Sequence, residues 1–135
     1  MCGAVSVTVK TPGEQLHACH CDQCRNWTGS MLLSVSAPVD QVDLTGPVKT
    51  FRSSDWAERG WCDRCGTSLF YRTTDPEQAY YGLATGLFPN AGDLPLKLEY
   101  FIDNKPDGYA FSGDHQRMTK AETLAKFAPD EGDTQ

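Results

Sequence analysis

No stretch of this chain approaches the ~20 consecutive apolar residues that cross a bilayer. Its opening residues, MCGAVSVTVK, have neither the basic flank nor the apolar core of a secretory leader. Both absences predict a cytoplasmic protein with no membrane partner. Positive charge is scarce as well: 12 Lys and Arg stand against 18 Asp and Glu, a formal net charge of -6. Proteins that hold a phosphate backbone gather cations on one face to displace counterions, so nucleic acid is not an expected partner. With only three histidines, nitrogen ligands for a metal are few. Repeats at a solenoid period and low-complexity linkers are also missing, and 135 residues suffice for one domain with a real core. That domain is expected over residues 1–128, with an acidic tail at 129–135.

What the chain does have is clustered cysteine. Cys19, Cys21 and Cys24 form CxCxxC in HACHCDQCRNWTG, Cys62 and Cys65 form CxxC in RGWCDRCGTSLFY, and Cys2 stands in MCGAV. In a reducing compartment such spacing predicts metal ligands or redox groups rather than disulfides. Two arrangements stay open on spacing alone. Cys21 and Cys24 with Cys62 and Cys65 would make a four-sulfur ribbon, with Cys2 and Cys19 as bystanders. Alternatively Cys19, Cys21 and Cys24 wrap one ion from a single loop, and Cys2 joins Cys62 and Cys65. The difference matters, because four protein ligands close a zinc site whereas three leave a position for a substrate. A thiol-disulfide oxidoreductase is disfavoured, since no βαβ pattern surrounds either CxxC.

Around the cysteines the pattern is that of strands. Val5, Val7 and Val9 alternate with Ser6, Thr8 and Lys10, the signature of a strand buried on one face. Further strands are expected at 31–36, 48–53, 67–72, 79–85 and 97–103, with turn-forming residues between them and both cysteine clusters in turns next to strands. The result is a mostly β fold. One helix is expected, TKAETLAKFA from Thr119 to Ala128, opened by a capping box of Thr119 and Glu122. His20 lies between two ligand candidates, but alternation points its side chain away from them. His17 and His115 read as ordinary polar residues. Trp27, Trp56, Trp61, Phe70, Tyr71, Tyr80 and Tyr81 could wall a pocket, with core the default reading for most of them. Arg25, Arg52, Arg59 and Arg72 carry the planar fork of donors that matches a carboxylate.

Taken in order, CGAV (Cys2 to Val5), CHCDQCRNWTGS (Cys19 to Ser30) and SSDWAERGWCDRCGTSLFYR (Ser53 to Arg72) resemble the glutathione-dependent formaldehyde-activating enzyme family, which includes centromere protein V. FIDNKPDGYAFSGDHQRMT, Phe101 to Thr119, is similar to its C-terminal strand and loop, and the resemblance runs from Cys2 to about Phe127. It implies a β-tent of small antiparallel sheets pinned by zinc at two sites. Cys19, Cys21 and Cys24 match the open, catalytic-type site; Cys2, Cys62 and Cys65 match ligands of a four-cysteine structural site. Members begin with CxCG, whereas MCG supplies only the second cysteine, so the structural site is expected to be one ligand short. A residue ahead of Met1, a water, the terminal amine or a nearby polar group would complete it, with weaker zinc retention expected. Gly108 stands where members carry a tryptophan, with Tyr109 beside it. The activity implied is that of a carbon-sulfur lyase. It would condense glutathione, or a related thiol, with formaldehyde or another small aldehyde to S-(hydroxymethyl)glutathione. Arg59 and then Arg25 are the expected partners of the glutathione carboxylates. The alternative implied by centromere protein V is a non-catalytic, zinc-stabilised module that binds a thiol or a protein.

Overall fold

A computed structural model describes residues 1–127; the expected acidic tail lies outside the described residues. Ten strands and two helices form among them. The strands are β1 (Ser6–Val9), β2 (Leu16–Cys19), β3 (Leu32–Pro38), β4 (Val42–Thr45), β5 (Val48–Arg52), β6 (Ala57–Cys62), β7 (Ser68–Thr73), β8 (Tyr80–Ala84), β9 (Leu96–Tyr100) and β10 (Gln116–Arg117). The helices are α1 (Asp22–Thr28) and α2 (Lys120–Phe127). The fold is mostly β, as the alternation implied.

β1 and β4 pair as an antiparallel ribbon, in which Val7 and Val9 turn inward while Ser6 and Thr8 face solvent. The other eight strands form one sheet in the order β10-β9-β2-β3-β8-β7-β6-β5. Its neighbours are antiparallel except around β9, which runs parallel to both β2 and β10. Leu16, Val35, Ala37, Leu69, Phe70, Tyr81 and Leu83 make the core, and Val7, Val42 and Leu44 of the ribbon pack over it. On β6, Gly60 faces Phe70 across the strand pair. A Cβ at Gly60 would lie 2.3 Å from the Phe70 ring, which meets Tyr81 edge-on at 4.8 Å.

The C-terminal helix starts as its sequence dictates. Glu122 N–H donates to Thr119 Oγ1 (3.2 Å) and Thr119 N–H donates to Glu122 Oε2 (2.7 Å), a reciprocal capping box. The cysteine segments adjoin strands as expected, with a helix added at the first. β2 runs into Cys19, β6 ends at Cys62, and α1 begins directly after Cys21, so both motifs hang on regular elements rather than on turns alone. α1 was not foreseen because its cap is a cysteine and it is only 7 residues long. Of the aromatics read as core, Trp56 is 63% exposed, on the turn between β5 and β6.

Candidate metal centre and adjoining cleft

Cys19 closes β2, Cys21 caps α1, and Cys24 sits in the first turn of that helix. A strand end followed at once by a helix start bends the chain so that all three sulfurs lie within 4.8 Å of one another. Cys24 N–H donates to Cys21 Sγ at 3.4 Å, the helix-capping bond that a serine or aspartate oxygen commonly accepts. Gly29 ends α1 in the left-handed region (φ 83°), and its N–H returns to Arg25 O at 2.9 Å.

The three thiols are shifted in opposite directions. Hydrogen bonds from Cys19 and then Cys24 hold Cys21 down at about 2, helped by the Cys24 N–H and the Arg59 charge. Cys19 is raised, first by its hydrogen bond to Cys21 and then by that to Cys24 and by burial. For Cys24 the bond with Cys19 lowers the value, but the bond to Cys21 and burial outweigh it and push it up to about 11. Three sulfurs gathered this closely suit a soft cation, whose binding releases their protons.

Arg59 reaches this cluster from β6. It is 6% exposed. Its Nη1 donates to Cys24 Sγ (3.6 Å), its Nη2 to Gln23 Oε1 (3.4 Å) and its Nε to Ser53 Oγ (3.2 Å). The rings of Trp27 and Tyr71 lie 5.1 and 5.3 Å from the guanidinium carbon. The same residue lines a cleft of about 630 Å³, with Gln23, Asn26, Trp27, Phe51, Ser53 and Trp61 among its walls. Trp27 and Trp61, read from the sequence as core, instead face this cleft. Arg25 serves a different purpose. Its guanidinium binds Asp22 (2.7 Å) and the His20 carbonyl (3.1 Å), and it is not among the cleft walls.

The second cluster gathers Cys2, Cys62 and Cys65, also within 4.8 Å of one another. Cys2 Sγ and Cys62 Sγ are 3.8 Å apart. Two sulfurs at ~2.3 Å from a tetrahedral zinc stand about 3.8 Å apart, so the spacing fits that ion. A pocket of about 40 Å³ adjoins them, bounded also by Thr67, Leu69 and Leu87. Thr67 Oγ1 lies 3.1 Å from Cys65 Sγ and accepts from the Met1 amino group at 3.1 Å. That hydroxyl, with the Thr67 and Cys2 backbone N–H groups, pushes the Cys65 thiol down to about 5.

The structure therefore decides between the two arrangements that spacing left open. The ribbon pairing of Cys21 and Cys24 with Cys62 and Cys65 is not formed; the cysteines divide into Cys19, Cys21, Cys24 and Cys2, Cys62, Cys65. Both groups are arranged to hold a metal ion, and their all-sulfur donor sets fit zinc.

One set of residues escaped the sequence reading. His20 turns from the sulfurs and meets Glu99 Oε1 at 2.8 Å, with His20 fully buried and Glu99 1% exposed. The other Glu99 oxygen takes His115 Nε2 (2.5 Å) and Arg117 Nε (3.2 Å). Burial raises the Glu99 carboxyl, but hydrogen bonds from His115 and His20 outweigh it and the net shift is downward. The parallel pairing of β2 with β9 brings His20 to Glu99, that of β9 with β10 brings His115 and Arg117, and no local pattern announces either. At the C-terminal loop, Gly108 has open space where a side chain would project, and Tyr109 is exposed beside the Lys105 ammonium.

Among the described residues no helix is long and apolar enough to cross a membrane. Compared with known proteins, the chain is 29% identical over 125 residues to an uncharacterized lyase of Schizosaccharomyces pombe, covering 92% of this chain and 90% of the relative. A crystal structure of a Rhodobacter sphaeroides protein shares the fold with a TM-score of 0.54 at 18% identity, covering 71% of this chain and 94% of that one. The family model for glutathione-dependent formaldehyde-activating enzymes matches residues 1–104. The sulfur clusters and the mostly β fold are thus those of a chain that belongs to the glutathione-dependent formaldehyde-activating enzyme family.

Proposed function

We propose that this protein is a zinc-dependent carbon-sulfur lyase that joins glutathione, or a related thiol, to formaldehyde or another small aldehyde. The observation that carries the reading is the Cys19, Cys21 and Cys24 cluster, which no fourth His, Cys, Asp or Glu joins among the described residues, beside a cleft that shares Arg59. Cys19, Cys21 and Cys24 would hold a zinc ion, which would supply the means to keep a substrate sulfhydryl as thiolate near neutral pH.

Cys19, Cys21 and Cys24 act as the ligands, and their three negative charges favour holding a thiolate over polarising a carbonyl. Arg59 offsets part of that charge through Cys24. Three of its five N–H groups are engaged, leaving two for a substrate carboxylate. This ranks Arg59 ahead of Arg25, whose fork is occupied by Asp22 and a backbone carbonyl. Trp27, Phe51 and Trp61 give the cleft apolar walls. In the reaction the substrate sulfur attacks the aldehyde carbon and a C–S bond forms. The carbonyl π pair moves to oxygen, which takes up the proton the thiol released, and the lyase direction reverses each step.

Metal counting followed by glutathione titration on the same sample tests this. Cys21→Ser is expected to lose one of two metal equivalents together with glutathione binding. Arg59→Ala is expected to weaken that binding about 10- to 100-fold, the range of a lost charged hydrogen bond. Adduct formation, followed by NMR against the fast uncatalysed background, reads the chemistry. Full metal occupancy without glutathione binding would overturn the lyase reading in favour of a non-catalytic module.

A further inference from the structure

We infer that Glu99 is a positioning residue for the Cys19, Cys21 and Cys24 centre, held in place by His115 and Arg117 and acting through His20. This rests on the reading of those three cysteines as a metal site.

His20 is the residue between the ligands Cys19 and Cys21, so fixing it fixes the directions in which both neighbours leave the chain. It is gripped at three points. Its ring meets Glu99 Oε1 at 2.8 Å, its N–H donates to Tyr100 O at 3.0 Å, and its carbonyl accepts from Arg25 Nε at 3.1 Å. Two of the three come from consecutive residues at the end of β9, the parallel neighbour of β2.

Glu99 is itself clasped from the far side. β10 lies parallel to β9 with Arg117 opposite Glu99, and Met118 N–H donates to Glu99 O at 2.9 Å. That register delivers His115, whose side chain is 2% exposed, and Arg117 to Oε2. Both carboxylate oxygens are therefore taken, one by the metal loop and one by residues 115–117. His115 and Arg117 lie beyond the residues matched by the family model, so that match does not reach the clasp.

A buried carboxylate wedged between two imidazoles is costly unless each group is paired, and apolar residues of similar volume commonly do as well for stability alone. Retaining it directly under the ligand loop is explained when it orients that loop. Partners that orient a metal site through hydrogen bonds typically change metal affinity about 10- to 100-fold when removed.

The test is chelator competition and cobalt substitution on the full chain, with the sulfur-to-cobalt absorption bands reporting geometry at each centre. Cys21→Ser first identifies which metal equivalent belongs to the three-sulfur loop. Glu99→Gln and His20→Gln should each weaken that equivalent about 10- to 100-fold and alter its bands, leave the other equivalent unchanged, and fail to add when combined. Arg117→Gln, at a 41% exposed side chain, should act in the same direction by several-fold and covers the case in which Glu99→Gln does not fold. Equal loss at both centres, or a lower melting temperature with both affinities intact, would overturn the positioning role. Should Cys21→Ser bind as much metal as the parent, the metal-site reading falls and this inference with it.

Discussion

Gly60 and Phe70 show how much a single missing side chain sets on β6. The ring fills the place a Cβ would take, 2.3 Å from where it would stand. The glycine φ is not positive, so an alanine there suffers from crowding rather than from its own backbone. Gly60→Ala should lower stability by about 1–3 kcal/mol, the usual cost of forcing extra volume into a packed core. Denaturant midpoints of the two proteins check this, and equal midpoints would mean that the ring moves aside freely. Because Gly60 follows Arg59, the same crowding would also be felt at the arginine that donates to Cys24.

At the scale of the element, α1 does the most with the least chain. In 7 residues it converts a strand end into a cluster, capped by Cys21 and stopped by Gly29 at φ 83°. Gly29→Ala should cost about 1 kcal/mol, because a Cβ in the left-handed region is strained even with open space around it. Thermal melts of the metal-loaded protein read the loss, and Gly29→Asn should cost less, since asparagine tolerates that region.

The long alternating and turn-bounded segments were legible from the sequence. β1, β3, β5, β7, β8 and β9 all fall where the pattern put them, and α2 starts at its capping box. β2, β6 and α1 were hidden because their residues overlap the cysteine motifs, whose spacing reads as turns whatever holds them. The division of the six sulfurs followed from the resemblance and not from spacing, which permits either grouping. Arg59 was singled out for its motif, yet its bond to Cys24 depends on how β6 meets α1. The Glu99 cluster had no signal at all, because it forms only where β9 pairs in parallel with both β2 and β10.

For the whole molecule, the buried Glu99 network ties stability to pH on the acid side. His20, His115 and Arg117 face the carboxylate, and its folded value lies below its ordinary 4.5. A depressed carboxyl contributes stability that is fully present above the unfolded value and is lost as pH falls through the folded one. The gap in melting temperature between the parent and Glu99→Gln should therefore narrow as pH drops from about 6 through that range. A gap constant with pH would show that packing, not charge, holds the cluster.

The parallel register of β2 against β9 also joins an early part of the chain to a late one. All six cysteines have been made once Cys65 is in place, whereas Glu99, His115 and Arg117 come later. At ~5–20 residues per second, translation from Cys65 to Arg117 takes on the order of 3–10 s. During those seconds the nascent three-sulfur loop is without the carboxylate that grips His20 in the finished protein, so the last strands to be made complete a site whose sulfurs were among the first.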